Sequence, residues 1–397
     1  MSYPVVYLKK DKEKPILRRH HWIFSGAVKK FPESFSNGDI CQVRSHYNKV
    51  LGHAYFNDKT TISGRMINFS EENPLASIEK NILNAISLRK KLFDAKITNA
   101  YRLINGEGDL IPGLLIDRYN DKLVIQISTL GIEKLKDMII DVLVENLGEE
   151  IDLIFEKSTM SSRNHEGLDK IEKVVWAKHK GARVQTEIFE NEVKFIVDVK
   201  NGHKTGFYLD QRNMRAYIAS LIRGKKLLNC FSYTGGFSVY AALSGAKEVT
   251  SVDISEEVIN GAVKNFEANG LDPENHNFVA LDVFEFLEDQ KELDYDIVIL
   301  DPPAFAKKKS DYGAACSGYR RLNTETLKRM KSGSILLTCS CSYHVDTDSF
   351  LKQVKKAAAD SGKTLRQIQS HRQAEDHVLN PFHPELDYLK GFAFWVE

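Results

Sequence analysis

The sequence predicts an α/β protein whose C-terminal half is a doubly wound, mostly parallel sheet, preceded by a small β-barrel and a small α+β unit. Three observations predict it. From about residue 225, short apolar segments alternate with helical patterns, as in KKLLNCF, TGGFSVYAALSG, EVTSVDI and SEEVINGAVKNFEANG; such alternation builds parallel sheets. Residues 1–72 instead hold short strand-like segments separated by turns such as SNGD and FNDK, which suits a barrel. At 397 residues the chain is long for one core, so two or three domains are expected.

Hydrophobic content of 42% and charged content of 27% describe an ordinary globular chain. No apolar run approaches the ~18 residues of a membrane span, and MSYPVVYLKKDKEKP lacks the apolar stretch of a secretory signal. Cys41, Cys230, Cys316, Cys339 and Cys341 are an odd, scattered set, which points to reduced thiols and a cytoplasmic location. Net charge is only +1, yet residues 1–70 hold 12 Lys/Arg against 5 Asp/Glu, and residues 307–331 hold 8 against 2. Two basic segments in a neutral chain are a candidate split phosphate-binding surface. Solvated faces with no partner would give the same counts.

Taken in order, PVVYLKK, WIFSGAV, DICQVRS, VLGHAYF and TISGRMINF read as the barrel strands. ASIEKNILNAISLRKKLFDA reads as a helix with Ile78, Ile82, Ile86 and Leu88 on or near one face. The hairpin GDLIPGLLIDRYNDKLVIQIS, the helix IEKLKDMIIDVLVENLG and the strand DLIFEKS make residues 73–189 a middle α+β domain. The strand FIVDVKN closes this mixed region at its edge with the third domain, residues 190–397. Within it FVALD, YDIVILD and SILLTCS continue the parallel strands, with helices near 284–290 and 319–331 and Ser255 as the N-cap of another. TLRQIQSHRQ and LKGFAFWVE read as a pair that finishes the sheet antiparallel, a termination that favours a methyltransferase over a dehydrogenase.

Ligands of such sheets sit at the carboxyl ends of the strands, near the point where strand order reverses. The first strand, ending near Asn229, runs into Phe231-Ser232-Tyr233-Thr234-Gly235-Gly236, where glycines let backbone approach a ligand and a helix N-terminus follows. The second strand ends in Asp253, 18 residues after Gly235, and a carboxylate there can accept from both ribose hydroxyls. Asp282, followed by Val283, ends the third strand and suits an adenine amino group. Each acid alone could be a helix cap. Three at successive strand ends, counting Asp301, imply adenosine, with NAD still open.

The fourth strand runs into Asp301-Pro302-Pro303-Ala304. Two prolines cannot continue a ladder, so they stiffen the exit and aim Asp301 into the crevice. The neighbouring fifth strand carries Cys339 and Cys341, which share one face by the i, i+2 rule. Cys339 lies deeper and Cys341 at the rim. A metal site from Cys339, Cys341 and His344 lacks a second pair, and redox C-x-x-C spacing is absent.

These segments resemble the PUA-domain class I methyltransferases that make 5-methylcytosine in large-subunit ribosomal RNA. RHHWIFSGAV and NGDICQV resemble the PUA barrel, RLINGEGDLIPGLLIDRY the middle domain, and KTGFYLDQR, CFSYTGGFSVYAALSGAKEVTSVDIS, DPPAFAKKK and LLTCSCS the methyltransferase segments. The resemblance spans nearly the full length. It implies S-adenosylmethionine as cofactor, contacted by Gln211, Arg212, Asn229, Phe231, Tyr233, Thr234, Gly235, Asp253, Asp282, Val283 and Asp301. It implies Cys341 as nucleophile with Asp301 assisting, ribosomal RNA as partner, no membrane, no metal, and a homodimer as the assembly to test. Arg212 paired to Asp210 is the structural alternative to a cofactor contact. One departure stands out: many RNA cytosine-C5 methyltransferases place a second cysteine where this chain has Ala304. Methylation of a base nitrogen, or an RNA-binding assembly factor with an idle methyltransferase fold, are the competing functions. Ala304 weighs against adenine-N6 chemistry, which usually has an aromatic residue after the two prolines.

Overall fold

A computed structural model describes residues 3–306 and 308–397; Lys307, part of the second basic segment, lies outside them. The chain forms two compact units. The first comprises residues 1–189, 197–207 and 375–386; the second comprises 190–196, 208–374 and 387–397.

In the first unit a six-stranded sheet runs in the order Trp22–Phe24, Ile62–Asn68, Val50–Phe56, Ile40–Arg44, Val5–Leu8, Val28–Lys30. Its two edge strands are consecutive in sequence, joined by the single turn Ser25–Ala27. The sheet must therefore curl until its edges meet, as in a barrel. The segment WIFSGAV is thus two strands rather than one. The sheet encloses Val6, Leu8, Ile23, Cys41, Val43, Phe56 and Met66.

A second sheet follows in the order Ile171–Ala177, Leu153–Ser158, Lys122–Ile127, Leu114–Tyr119, Ala100–Asn105. The helix Pro74–Leu92 starts at Asn73, whose side chain caps Leu75 N–H. Its buried face holds Ile78, Ile82 and Ile86, but also Arg89 in place of the expected Leu88. Arg89 is fully buried because its guanidinium grips Asp109 at 2.5 and 2.8 Å and the carbonyls of Arg102 and Asp376. Each nitrogen of the fork finds an acceptor, which is what makes a buried charge tolerable.

The second unit is built on seven strands, numbered here within this sheet: β1 Lys226–Cys230, β2 Glu248–Asp253, β3 Asn277–Ala280, β4 Ile297–Leu300, β5 Ile335–Ser340, β6 Leu365–His371 and β7 Lys390–Val396. Their order is β3-β2-β1-β4-β5-β7-β6. The first five pair in parallel, and β7 lies antiparallel to both β5 and β6. Among the described residues six α-helices accompany them: α1 Arg212–Leu221, α2 Gly236–Leu243, α3 Glu256–Ala268, α4 Val283–Glu288, α5 Tyr312–Arg329 and α6 Thr347–Ser361. Ser255 caps α3, as the sequence predicts. Helix α5 begins at Tyr312 rather than near 319, since Gly313 and Gly318 mask a helical stretch whose Ala315, Cys316, Tyr319 and Leu322 are buried. Strand order reverses between β1 and β4, so the crevice lies where both end.

Candidate active site

The loop leaving β1 is held in an uncommon backbone conformation. Phe231 (φ 59°), Tyr233 (φ 47°) and Gly235 (φ 76°) all lie in the left-handed region, which costs a non-glycine residue of order 1–3 kcal/mol and persists only where surroundings enforce it. Enforcement is visible. Asp253 Oδ2 accepts from Tyr233 N–H at 3.0 Å, Asn265 Nδ2 donates to the Thr234 carbonyl at 2.8 Å, and Ser232 N–H donates to the Val252 carbonyl at 3.0 Å. A Cβ on Gly235 would meet Ala262 Cβ at 2.9 Å. This glycine therefore serves a tight turn packed on α3 rather than an opening toward a ligand.

Asp253 also accepts from Ser255 N–H at 3.2 Å. Two backbone donors orient the carboxylate, and a carboxylate has about four lone-pair sites, so capacity is left for a ligand's hydroxyls. Asp282 caps α4 through Oδ1, accepting from Phe284 and Glu285 N–H; it is a helix cap at the strand end. Asn229 and Val283 are buried supports beneath the loop. Asn229 Nδ2 donates to Ser238 Oγ (2.9 Å), which bonds Ser251 Oγ (2.7 Å), tying β1, α2 and β2 together, and Val283 packs in the sheet core.

Asn229 Oδ1, Thr234 Oγ1 and Gln211 Oε1 are buried with no hydrogen-bond partner. Buried polar atoms are nearly always paired, so three such atoms around one crevice fit a bound polar cofactor such as an adenosyl group with its amino-acid tail.

The reactive side of the crevice lies between β4 and β5. Register puts Leu300 beside Thr338, so Asp301 is level with Cys339 and Cys341 stands two residues further out. Gln211 Nε2 donates to Asp301 Oδ2 at 2.9 Å. Cys339 is fully buried with Sγ 3.7 Å from Met214 Sδ. It sits opposite Gly391 on β7, where a Cβ would meet Met214 Sδ at 2.5 Å, so the absent side chain makes their room. Burial holds the Cys339 thiol well above the ordinary cysteine range, with Asp301 and Cys341 adding to the effect. Cys341, just past the end of β5, is half-buried, with Sγ 3.8 Å from the Pro302 carbonyl. Beyond Pro303 the chain turns Phe305 onto Tyr319 of α5, rings 4.6 Å apart.

Arg212 is buried, its Nε 3.6 Å from Glu190 Oε2. Glu190 is also gripped by Arg215 at 2.7 and 2.6 Å, while Asp210 accepts from Tyr388 OH at 2.6 Å. Arg212 thus has a structural ion-pair partner, in Glu190. Sequence reasoning missed Tyr208, whose ring packs edge-on to Tyr233 at 5.2 Å and whose phenol is pushed up by burial and by the charges of Asp301 and Cys341. Its place in KTGFYLDQR, three residues before Gln211, was the available signal. It also missed Lys390, which no local pattern marks.

Cys339, Cys341 and His344 do not gather as metal ligands among the described residues. The grouping that does is His20, His383 and Glu385. There His21 N–H donates to His383 Nε2 at 2.8 Å, which leaves the ring proton on Nδ1, the atom facing Glu385. A protonated Nδ1 is no ligand.

Residues 6–69 match a PUA-like domain and residues 174–375 match the S-adenosylmethionine-dependent methyltransferase family. Ribosomal RNA large subunit methyltransferase I of Klebsiella pneumoniae is 38% identical over 98% of both chains. The protein of the same name from Aeromonas hydrophila is 39% identical over the same shares. A solved SAM-dependent methyltransferase from Streptococcus mutans superposes with a TM-score of 0.82 at 26% identity, covering 98% of this chain and 99% of that one. A methyltransferase solved with SAH gives 0.83 at 26%, covering 99% and 100%. The chain therefore belongs to the S-adenosylmethionine-dependent methyltransferases with an N-terminal PUA-like domain, in the family whose members are named ribosomal RNA large subunit methyltransferase I.

Proposed function

We propose that this protein methylates C5 of a cytosine in large-subunit ribosomal RNA through a covalent bond between Cys341 and C6 of the base. The observation that carries the proposal is the contrast between two cysteines two residues apart: Cys339 is sealed against Met214, whereas Cys341 stands half-buried at the rim beside the Asp301 loop. S-adenosylmethionine supplies an electrophilic methyl group. Cytosine C5 is a poor nucleophile toward it, so the chain has to activate the base.

In this reading Asp301, held by Gln211, shares a proton with N3 and so draws electrons from the ring. The Cys341 thiolate adds to C6, the C5=C6 double bond opens, and C5 becomes enamine-like and takes the methyl. A base then removes the C5 proton, the double bond re-forms, and the C6–S bond breaks to return the thiolate. Ala304 offers no thiol for that last step, so another base or a water takes the C5 proton. The target base must leave its stack to reach both groups. Residues 1–72 would act as the RNA-binding module, 73–189 as a middle domain and 190–397 as the catalytic domain.

Large-subunit RNA incubated with the protein and deuteromethyl-labelled cofactor, then digested and resolved by mass, should yield labelled 5-methylcytidine. Label on a purine or on a ring nitrogen would overturn the reading. Cofactor binding without any label in RNA would favour an assembly factor.

A further inference from the structure

Strand β7 begins with Lys390, in register with Ser340, the residue before Cys341. Its side chain is buried, only 6% exposed, where lysine is seldom found without a purpose-built partner. Nζ donates to the carbonyls of Ser342 and Val345, each at 2.8 Å. The backbone between them belongs to the turn that brings Cys341 out of the sheet. Other groups hold that turn too: Ser342 Oγ accepts from Ala306 N–H at 3.1 Å and bonds Tyr319 OH at 2.8 Å. Binding two carbonyls needs donors but no charge. What an ammonium adds is an electric field, and the acidic group it interacts with most is Cys341, ahead of Asp387 and Asp346.

We propose that Lys390 is a positioning residue that fixes the turn bearing Cys341 and favours that thiol as thiolate. The inference rests on Cys341 being the nucleophile. Among the described residues, the groups facing the thiol include Asp301 from the end of β4, Cys339 from β5, Tyr208 ahead of α1, Tyr319 from α5 and Lys390 from β7. Burial keeps both phenols and the Cys339 thiol neutral near pH 7. Asp301 opposes a second negative charge, and the Lys390 ammonium acts against that opposition. Burial pulls Lys390 itself down, and Cys341 is the first group acting against that pull. Each charge of the pair thus sustains the other, and the thiolate is the species that adds to a ring carbon.

The test is the pH dependence of iodoacetamide alkylation at Cys341, followed by peptide mass mapping of the full-length protein. In wild type the midpoint should lie below the ordinary cysteine value of about 8.5. Lys390→Met should raise it by about one pH unit, slowing alkylation at pH 7 roughly tenfold while the high-pH plateau stays. Lys390→Arg should recover most of the loss. A lysine that only braces the turn would alter the plateau and leave the midpoint alone, which would overturn the proposal. If Lys390→Met does not fold, the wild-type midpoint decides, and a value at or above 8.5 overturns it. Alkylation needs no RNA, so this result stands apart from whether cytosine C5 is the methylated atom.

Discussion

Replacing Asp253 by alanine tests the cofactor side of the crevice. In the structure the carboxylate accepts from Tyr233 and Ser255 N–H, which leaves lone pairs to accept from a ribose. A hydrogen bond to a charged acceptor contributes about 1.5–3 kcal/mol, so losing the ribose contacts should weaken binding roughly 10- to 150-fold. The two orphaned backbone donors add a second effect, since Tyr233 sits at φ 47° and needs that bond to stay there. Asp253→Asn separates the two: it keeps one oxygen for the loop but loses the charge. Calorimetric titration with S-adenosylhomocysteine should rank wild type above Asn above Ala, with the melting temperature lowered chiefly in Ala. Affinity of Asp253→Ala within twofold of wild type would remove Asp253 from the cofactor site.

Burial, first, and the neighbouring imidazoles, second, push His21 down to about 3 and His383 to about 4. With folded values below the unfolded one near 6.5, the unfolded chain binds more protons, so stability is full above pH 6.5 and is lost as pH falls toward 4. Thermal melts should show a loss on the order of 2 kcal/mol per histidine at pH 5, and His383→Phe should flatten that dependence; a melting temperature unchanged between pH 7 and 5 would contradict it. RNA affinity should fall steeply with salt, and Lys10→Glu with Lys12→Glu should make the log–log slope shallower by about 2. An unchanged slope in filter binding would take Lys10 and Lys12, of the basic segment 1–70, out of the interface. Deleting residues 1–72 is a poor version of that test, because Tyr55 and Ile67 share a core with Leu103, Ile116 and Ile125.

The parallel sheet and its acidic strand ends were legible because β-strand burial and βα alternation leave a local pattern. So was the contrast between Cys339 and Cys341, which follows from where an apolar run stops. Local pattern failed where long-range pairing decides. Arg89 looks like a surface residue until Asp109 and the Asp376 carbonyl close around it. The edge strand Ile171–Ala177 is too exposed to show alternation, and the acid that pairs with Arg212 and Arg215 is Glu190, more than twenty residues upstream. The residues 375–386 return to the first unit with nothing in their composition to announce it, and Lys390 meets the Cys341 turn only through the antiparallel register of β7.

The central claim, that Cys341 bonds covalently to cytosine C6, is tested most directly with RNA carrying 5-fluorocytidine at the target. Fluorine cannot leave C5 as a proton does, so after methyl transfer the thioether persists and shifts the protein band in a denaturing gel. Wild type and Cys339→Ala should both form the adduct, and Cys341→Ala should form none while still binding S-adenosylhomocysteine. An adduct that follows Cys339, or none with any variant despite labelled RNA, would contradict the account.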